Sequence, residues 1–114
     1  MFSRELTRRQ KRVSEDIAHN AALFIAREAS PHSLITVTRA DISPNLKNAA
    51  IFVSVMPKEK SDEAMRFLKR QRTYFHDYLK EKTVLRNVPT VDFVLDIGEA
   101  NRQRVDQVLR EKNS

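Results

Sequence analysis

The chain has 114 residues and no cysteine, which is one domain's worth of sequence with disulfides and thiolate metal ligands excluded. Lysine and arginine number 21 against 15 acids, and the resulting charge of +6 favours a polyanionic partner. No apolar run approaches the roughly 18 residues needed to span a membrane, and the basic opening MFSRELTRRQKR lacks the apolar stretch of a secretory signal.

Residues 4–29 read as a helix, because Val13, Ile17, Ala21 and Phe24 or Ile25 recur at helical spacing, with Leu6 two turns earlier. Thr7 and Gln10 have capping-box spacing, so the regular helix can begin there. Ser30-Pro31 ends it, since the proline ring disfavours helix at the residue before it. Residues 34–42, LITVTRADI, are rich in β-branched side chains and read as a strand. Ser43-Pro44-Asn45 is a turn signal. Residues 49–56, AAIFVSVM, form a second strand, with Ile51, Val53 and Val55 on one face and Ala50, Phe52 and Ser54 on the other. The short connection predicts antiparallel neighbours, and Pro57 stops the second strand.

Ser61 is placed to cap a helix with Asp62 and Glu63 in its first turn. The apolar stripe of this helix, Ala64, Leu68, Phe75 and Tyr78 or Leu79, is interrupted at Gln71-Arg72-Thr73. Residues 89–97 form a third strand with Val91, Phe93 and Leu95 facing inward. Asp96 and Glu99 then have the spacing of a capping box for a last helix, with Val105, Val108 and Leu109 on one side. No repeat, low-complexity tract or linker interrupts the chain, so residues 1–114 read as one domain, with 1–5 and 111–114 expected to fray. The expected class is α+β: α-β-β-α(kink)α-β with a C-terminal helix, and a three-stranded sheet covered by helices on one face. This is the layout of a type II KH-like domain.

Three stretches in this order resemble the ribosome-binding factor A family along nearly the whole chain. Arg12-Val13 followed by Ile17 is similar to the start of the family's first helix. ITVTRADISPNLKNAAIFVSVM is similar to its paired strands, with Ser43, Leu46 and Ala49 between them. LRNVPTVDFVLDIGEANR is similar to its closing signature, through Arg86, Pro89, Phe93, Asp96 and Glu99. The resemblance implies a KH-like fold and binding to immature small (30S) ribosomal subunits. It also implies contact with 16S rRNA near its 5′-terminal helix region, a role late in maturation and processing, and no catalysis. The chain departs from the family in two places. Gln71-Arg72-Thr73 stands where relatives usually break the central helix pair at alanine followed by a small residue, and Ala50 stands where many carry a basic residue. Propensity alone would run one helix from Ser61 to Lys82. The lost stripe and the resemblance predict a break near Gln71–Thr73.

Many KH domains clamp single-stranded nucleic acid with a GXXG loop, but this chain has one glycine, Gly98. RNA binding would therefore rest on a basic surface that reads phosphates and A-form shape. Lys69, Arg70 and Arg72 cluster on the central helical region with Arg66 one turn earlier, set against the reading of an ordinary solvated face. Arg8, Arg9, Lys11 and Arg12 open the first helix, where cations oppose the helix dipole and an external anion would relieve the conflict; a frayed, solvated end is the alternative. Arg39 can reach RNA from the open sheet face or simply snorkel, and Lys47 lies in the inter-strand loop. Arg86 has two open roles, an rRNA contact or an ion pair with Asp92 or Asp96. Phe75, Tyr78 and Phe93 read as core, whereas Tyr74 is either a base-stacking residue or a common exposed tyrosine.

His19, His32 and His76 are scattered without metal-ligand spacing, and Glu15-Asp16 and Asp62-Glu63 read as solvated or capping acids. No metal, cofactor or enzymatic activity is expected. The expected protein is a cytoplasmic monomer with 16S rRNA and free 30S subunits or their precursors as partners, and no membrane. Two other classes stay open: a KH-like binder of another structured RNA, and an interaction domain docking on a ribosomal protein or assembly GTPase.

Overall fold

The computed structural model describes residues 7–28 and 34–97. Helix α1 (Arg8–Glu28) starts at the predicted capping box. The Thr7 amide donates to Gln10 Oε1 at 2.9 Å and the Gln10 amide donates to Thr7 Oγ1 at 3.0 Å. The buried stripe of α1 includes Val13, Ile17, Ala21, Phe24 and Ile25, together with Ser14 and Asn20. Those two polar side chains each donate a hydrogen bond to a carbonyl of their own helix, Lys11 and Asp16, which offsets part of the cost of burying them.

Strand β1 (Leu34–Ile42) pairs antiparallel with β2 (Asn48–Met56), and the register slips by one residue between Val37 and Arg39. The apolar positions of LITVTRADI explain the slip, since they fall at Ile35 and Val37, then at Ala40 and Ile42. Strict alternation would turn one of those pairs away from the core. A bulge at Thr38 lets both pairs face the helices, opposite Val55, Val53, Ile51 and Ala49, and sends Arg39 and Asp41 to the other face beside Phe52 and Ala50.

The connecting loop is held by hydrogen bonds. Buried Ser43 donates its amide to the Asn48 carbonyl at 2.8 Å, accepts the Asn48 amide on Oγ at 3.0 Å and donates Oγ–H to Asn45 Oδ1 at 2.8 Å. Leu46 adopts φ of 62°, a left-handed conformation that costs a non-glycine residue roughly 1–2 kcal/mol. Its side chain packs against the core, and that burial offsets the strain.

After β2, a short 3₁₀ turn (Lys58–Lys60) leads directly into α2 (Ser61–Arg70). Ser61, placed by its sequence context to cap this helix, is instead its first residue. Its amide is already satisfied by the Lys58 carbonyl, so the 3₁₀ turn replaces the side-chain cap. The predicted break falls at Gln71, between α2 and α3 (Arg72–Lys82). The Gln71 amide is shared between the carbonyls of Leu68 at 3.0 Å and Phe67 at 3.1 Å, which tightens one turn. At φ −87° and ψ −2° Gln71 needs no positive φ. That is why neither glycine nor proline is required there.

Strand β3 (Thr90–Leu95) runs parallel to β2, giving one mixed sheet in the order β1-β2-β3. Ile51, Val53, Val55, Val91 and Phe93 are buried as expected. Leu95, the last residue of β3, is only half-buried, unlike Val91 and Phe93 on the same face. The core ends in an aromatic cluster of Phe24, Phe75, Tyr78 and Phe93, joining α1, α3 and β3. The expected last helix with Glu99, Val105, Val108 and Leu109 lies outside the described residues, as do the termini expected to fray.

Candidate nucleic-acid interface

Arg66, Lys69 and Arg70 are exposed on α2, and Lys69 and Arg70 occupy its last turn. The helix dipole presents its negative end there, which favours a cation by roughly 0.3–1 kcal/mol and offsets part of their mutual repulsion. Among the described residues these three enter no ion pair.

Arg72 differs from them. Its Nη1 donates to Asp92 Oδ1 on β3 at 2.8 Å, and its Nε donates to the Lys69 carbonyl at 3.3 Å. This guanidinium ties the start of α3 to the sheet edge while its side chain stays 49% exposed. The positive charge of the cluster therefore rests mainly on Arg66, Lys69 and Arg70. A double-mutant cycle with Arg72→Ala and Asp92→Ala, read by urea unfolding, is expected to give a coupling of about 0.2–1 kcal/mol, as for other half-exposed pairs. A coupling near zero would remove the tie between α3 and β3. Sequence reasoning does not find this pair, because twenty positions separate its members and no local spacing signals it.

Arg39 is also committed. It pairs with Asp41, and its guanidinium lies 3.7 Å from the centroid of the Phe52 ring. Phe52 is fully buried on the sheet face opposite α1, with Ala50 and Val94 beside it. Arg39, read from the sequence as reaching RNA or snorkelling, lies over this ring on the open sheet face. Asp92 pairs with Arg72 and Asp96 accepts from the Thr38 hydroxyl at 2.7 Å, while Arg86 is exposed. Lys47 is exposed too, and its carbonyl accepts the Thr90 amide at 2.8 Å, so its loop adjoins the start of β3. Arg8, Arg9, Lys11 and Arg12 are all exposed, and no acid stands in the first turn of α1. This is a second basic segment, separate in sequence from the end of α2. Among the described residues no cluster of histidine, cysteine or acids could hold a metal, and no helix is long and apolar enough to cross a membrane.

The family model described as ribosome-binding factor A matches residues 9–109. The chain belongs to the ribosome-binding factor A family. It is 31% identical over 106 residues to ribosome-binding factor A of Coxiella burnetii (strain Dugway 5J108-111), covering 91% of this chain and 89% of that one. The crystal structure of ribosome-binding factor A from Thermus thermophilus superposes with a TM-score of 0.67 at 20% identity, over 75% of this chain and 94% of that chain. A homology model of the Thermus thermophilus factor, fitted into a cryo-EM map of its 30S complex, superposes with a TM-score of 0.63 at 21% identity, over 71% of this chain and 88% of that one. Ribosome-binding factor A structures have the KH-like fold, and the α-β-β-α-α-β order seen here matches it. The family is one of ribosome-binding factors and not of enzymes.

Proposed function

We propose that this protein binds immature small (30S) ribosomal subunits through 16S rRNA, near its 5′-terminal helix region, and assists late maturation and processing. It would act in the cytoplasm as a monomeric single domain spanning residues 1–114, without catalysis or cofactor. The observation that carries this reading is the row of exposed cations Arg66, Lys69 and Arg70, which ends at the helix break of a KH-like fold. Such cations gain most by replacing the counterions of an RNA backbone. The fitted 30S complex of the Thermus thermophilus factor supports the choice of subunit. Exposed Lys47 beside the start of β3, exposed Arg86 in the segment before that strand, and the Arg8–Arg12 segment are further candidate contacts.

Sedimentation of a lysate tests this reading. Tagged protein is expected to travel with free small subunits and their precursors and to be absent from translating ribosomes. Recovery at the top of the gradient at low salt, or uniformly along polysomes, would contradict it.

A further inference from the structure

The aromatic side chains on α3 divide sharply. Phe75 and Tyr78 point into the core, whereas Tyr74, next to the break, is 64% exposed. Ring contacts and cations engage Phe24, Phe52, Phe75, Tyr78 and Phe93. Among the described residues, neither a ring nor a cation covers Tyr74. An uncovered aromatic face offers a base a surface to stack on.

Its position beside the cations follows from the break itself. Gln71 donates to the Phe67 carbonyl of α2 and accepts from the Phe75 amide of α3 at 2.9 Å, so one residue joins the end of α2 to the first turn of α3. Arg70 stands one turn beyond Arg66 on α2, and Tyr74 follows four residues later, across the break, in the first turn of α3. Arg72, two residues before Tyr74, is held by Asp92 and the Lys69 carbonyl.

We propose that Tyr74 is a stacking platform for one unpaired RNA base, with Arg70 and Lys69 gripping the adjoining phosphates. The proposal rests on the rRNA reading above and deepens it. The cations alone would accept any RNA backbone, whereas the ring requires a base that is out of its helix. The RNA element engaged at the break is then a bulge, loop or single-stranded end, not continuous A-form duplex.

The test compares a short oligoadenylate with a blunt RNA duplex of similar phosphate number, using wild type, Tyr74→Ala, Tyr74→Phe and Lys69→Ala/Arg70→Ala. Tyr74→Ala is expected to weaken oligoadenylate binding on the order of tenfold or more, as other stacked aromatics do. It should leave duplex binding and the salt dependence unchanged, since every cation that grips a phosphate is still present. Tyr74→Phe keeps the ring and should keep the affinity. The chain has two tyrosines and no tryptophan, and Tyr78 is buried, so oligoadenylate should quench the emission of Tyr74 directly. Equal oligoadenylate affinity of wild type and Tyr74→Ala, no quenching, or no binding of oligoadenylate by wild type would overturn the proposal. If the Lys69/Arg70 variant weakens both probes while Tyr74→Ala weakens neither, stacking fails and the rRNA reading stands. If neither variant changes either probe, both fall.

Discussion

Phe75→Ala is expected to destabilise the protein by about 3–5 kcal/mol, the cost of removing a buried aromatic side chain whose cavity cannot close. Phe75 is fully buried, and its ring centroid lies 5.2 Å from that of Phe24, 6.2 Å from Tyr78 and 5.8 Å from Phe93. It is the point where α1, α3 and β3 meet, so truncation loosens all three at once. A domain of this size has only about 5–15 kcal/mol to lose. The variant should therefore unfold at a much lower urea midpoint with a similar slope. Tyr74→Ala, one residue away but exposed, should cost within about 0.5 kcal/mol. A loss below about 1 kcal/mol for Phe75→Ala would show that the core does not depend on this cluster.

The contrast between these neighbours is readable in the sequence, because helical spacing puts Phe75 and Tyr78 on the apolar stripe and Tyr74 beside it. The capping box at Thr7 and Gln10 is readable for the same reason, since both partners are local. The break is readable as a lost stripe at Gln71-Arg72-Thr73, although propensity argues for one helix. What propensity does not show is that a shared amide at Gln71 breaks the winding without any special residue. The β1 bulge leaves a trace in the phase of Ile35, Val37, Ala40 and Ile42, but its position depends on pairing with β2.

The candidate interface is legible in the sequence only as charge. Sequence groups Lys69, Arg70 and Arg72 as equals, and only the fold separates them, since Asp92 reaches Arg72 from a strand that is distant in sequence. Arg39 is equally ambiguous until Phe52 and Asp41 are seen beneath it. Ser61 and Leu95 mislead for local reasons. A 3₁₀ turn takes over the cap, and the leucine stands at the last position of its strand.

Charge removal at the end of α2 should have the largest effect on binding. Lys69→Ala/Arg70→Ala leaves Arg72 and its tie to Asp92 in place, so the fold is expected to persist. Affinity for RNA should fall broadly across sequences, because phosphate contacts position without reading bases.

A salt titration of binding to purified precursor small subunits, wild type against this double variant, tests the central claim most directly. The wild-type protein should lose affinity steeply as salt rises. The variant should bind more weakly at low salt, with a log–log slope flatter by about 0.9 for each phosphate that it no longer neutralises, a coefficient carried over from duplex DNA. Unchanged affinity and slope would contradict the account and move the binding surface elsewhere, first to Arg8–Arg12. A wild-type slope near zero would contradict phosphate binding altogether and favour an interface with a ribosomal protein or assembly GTPase.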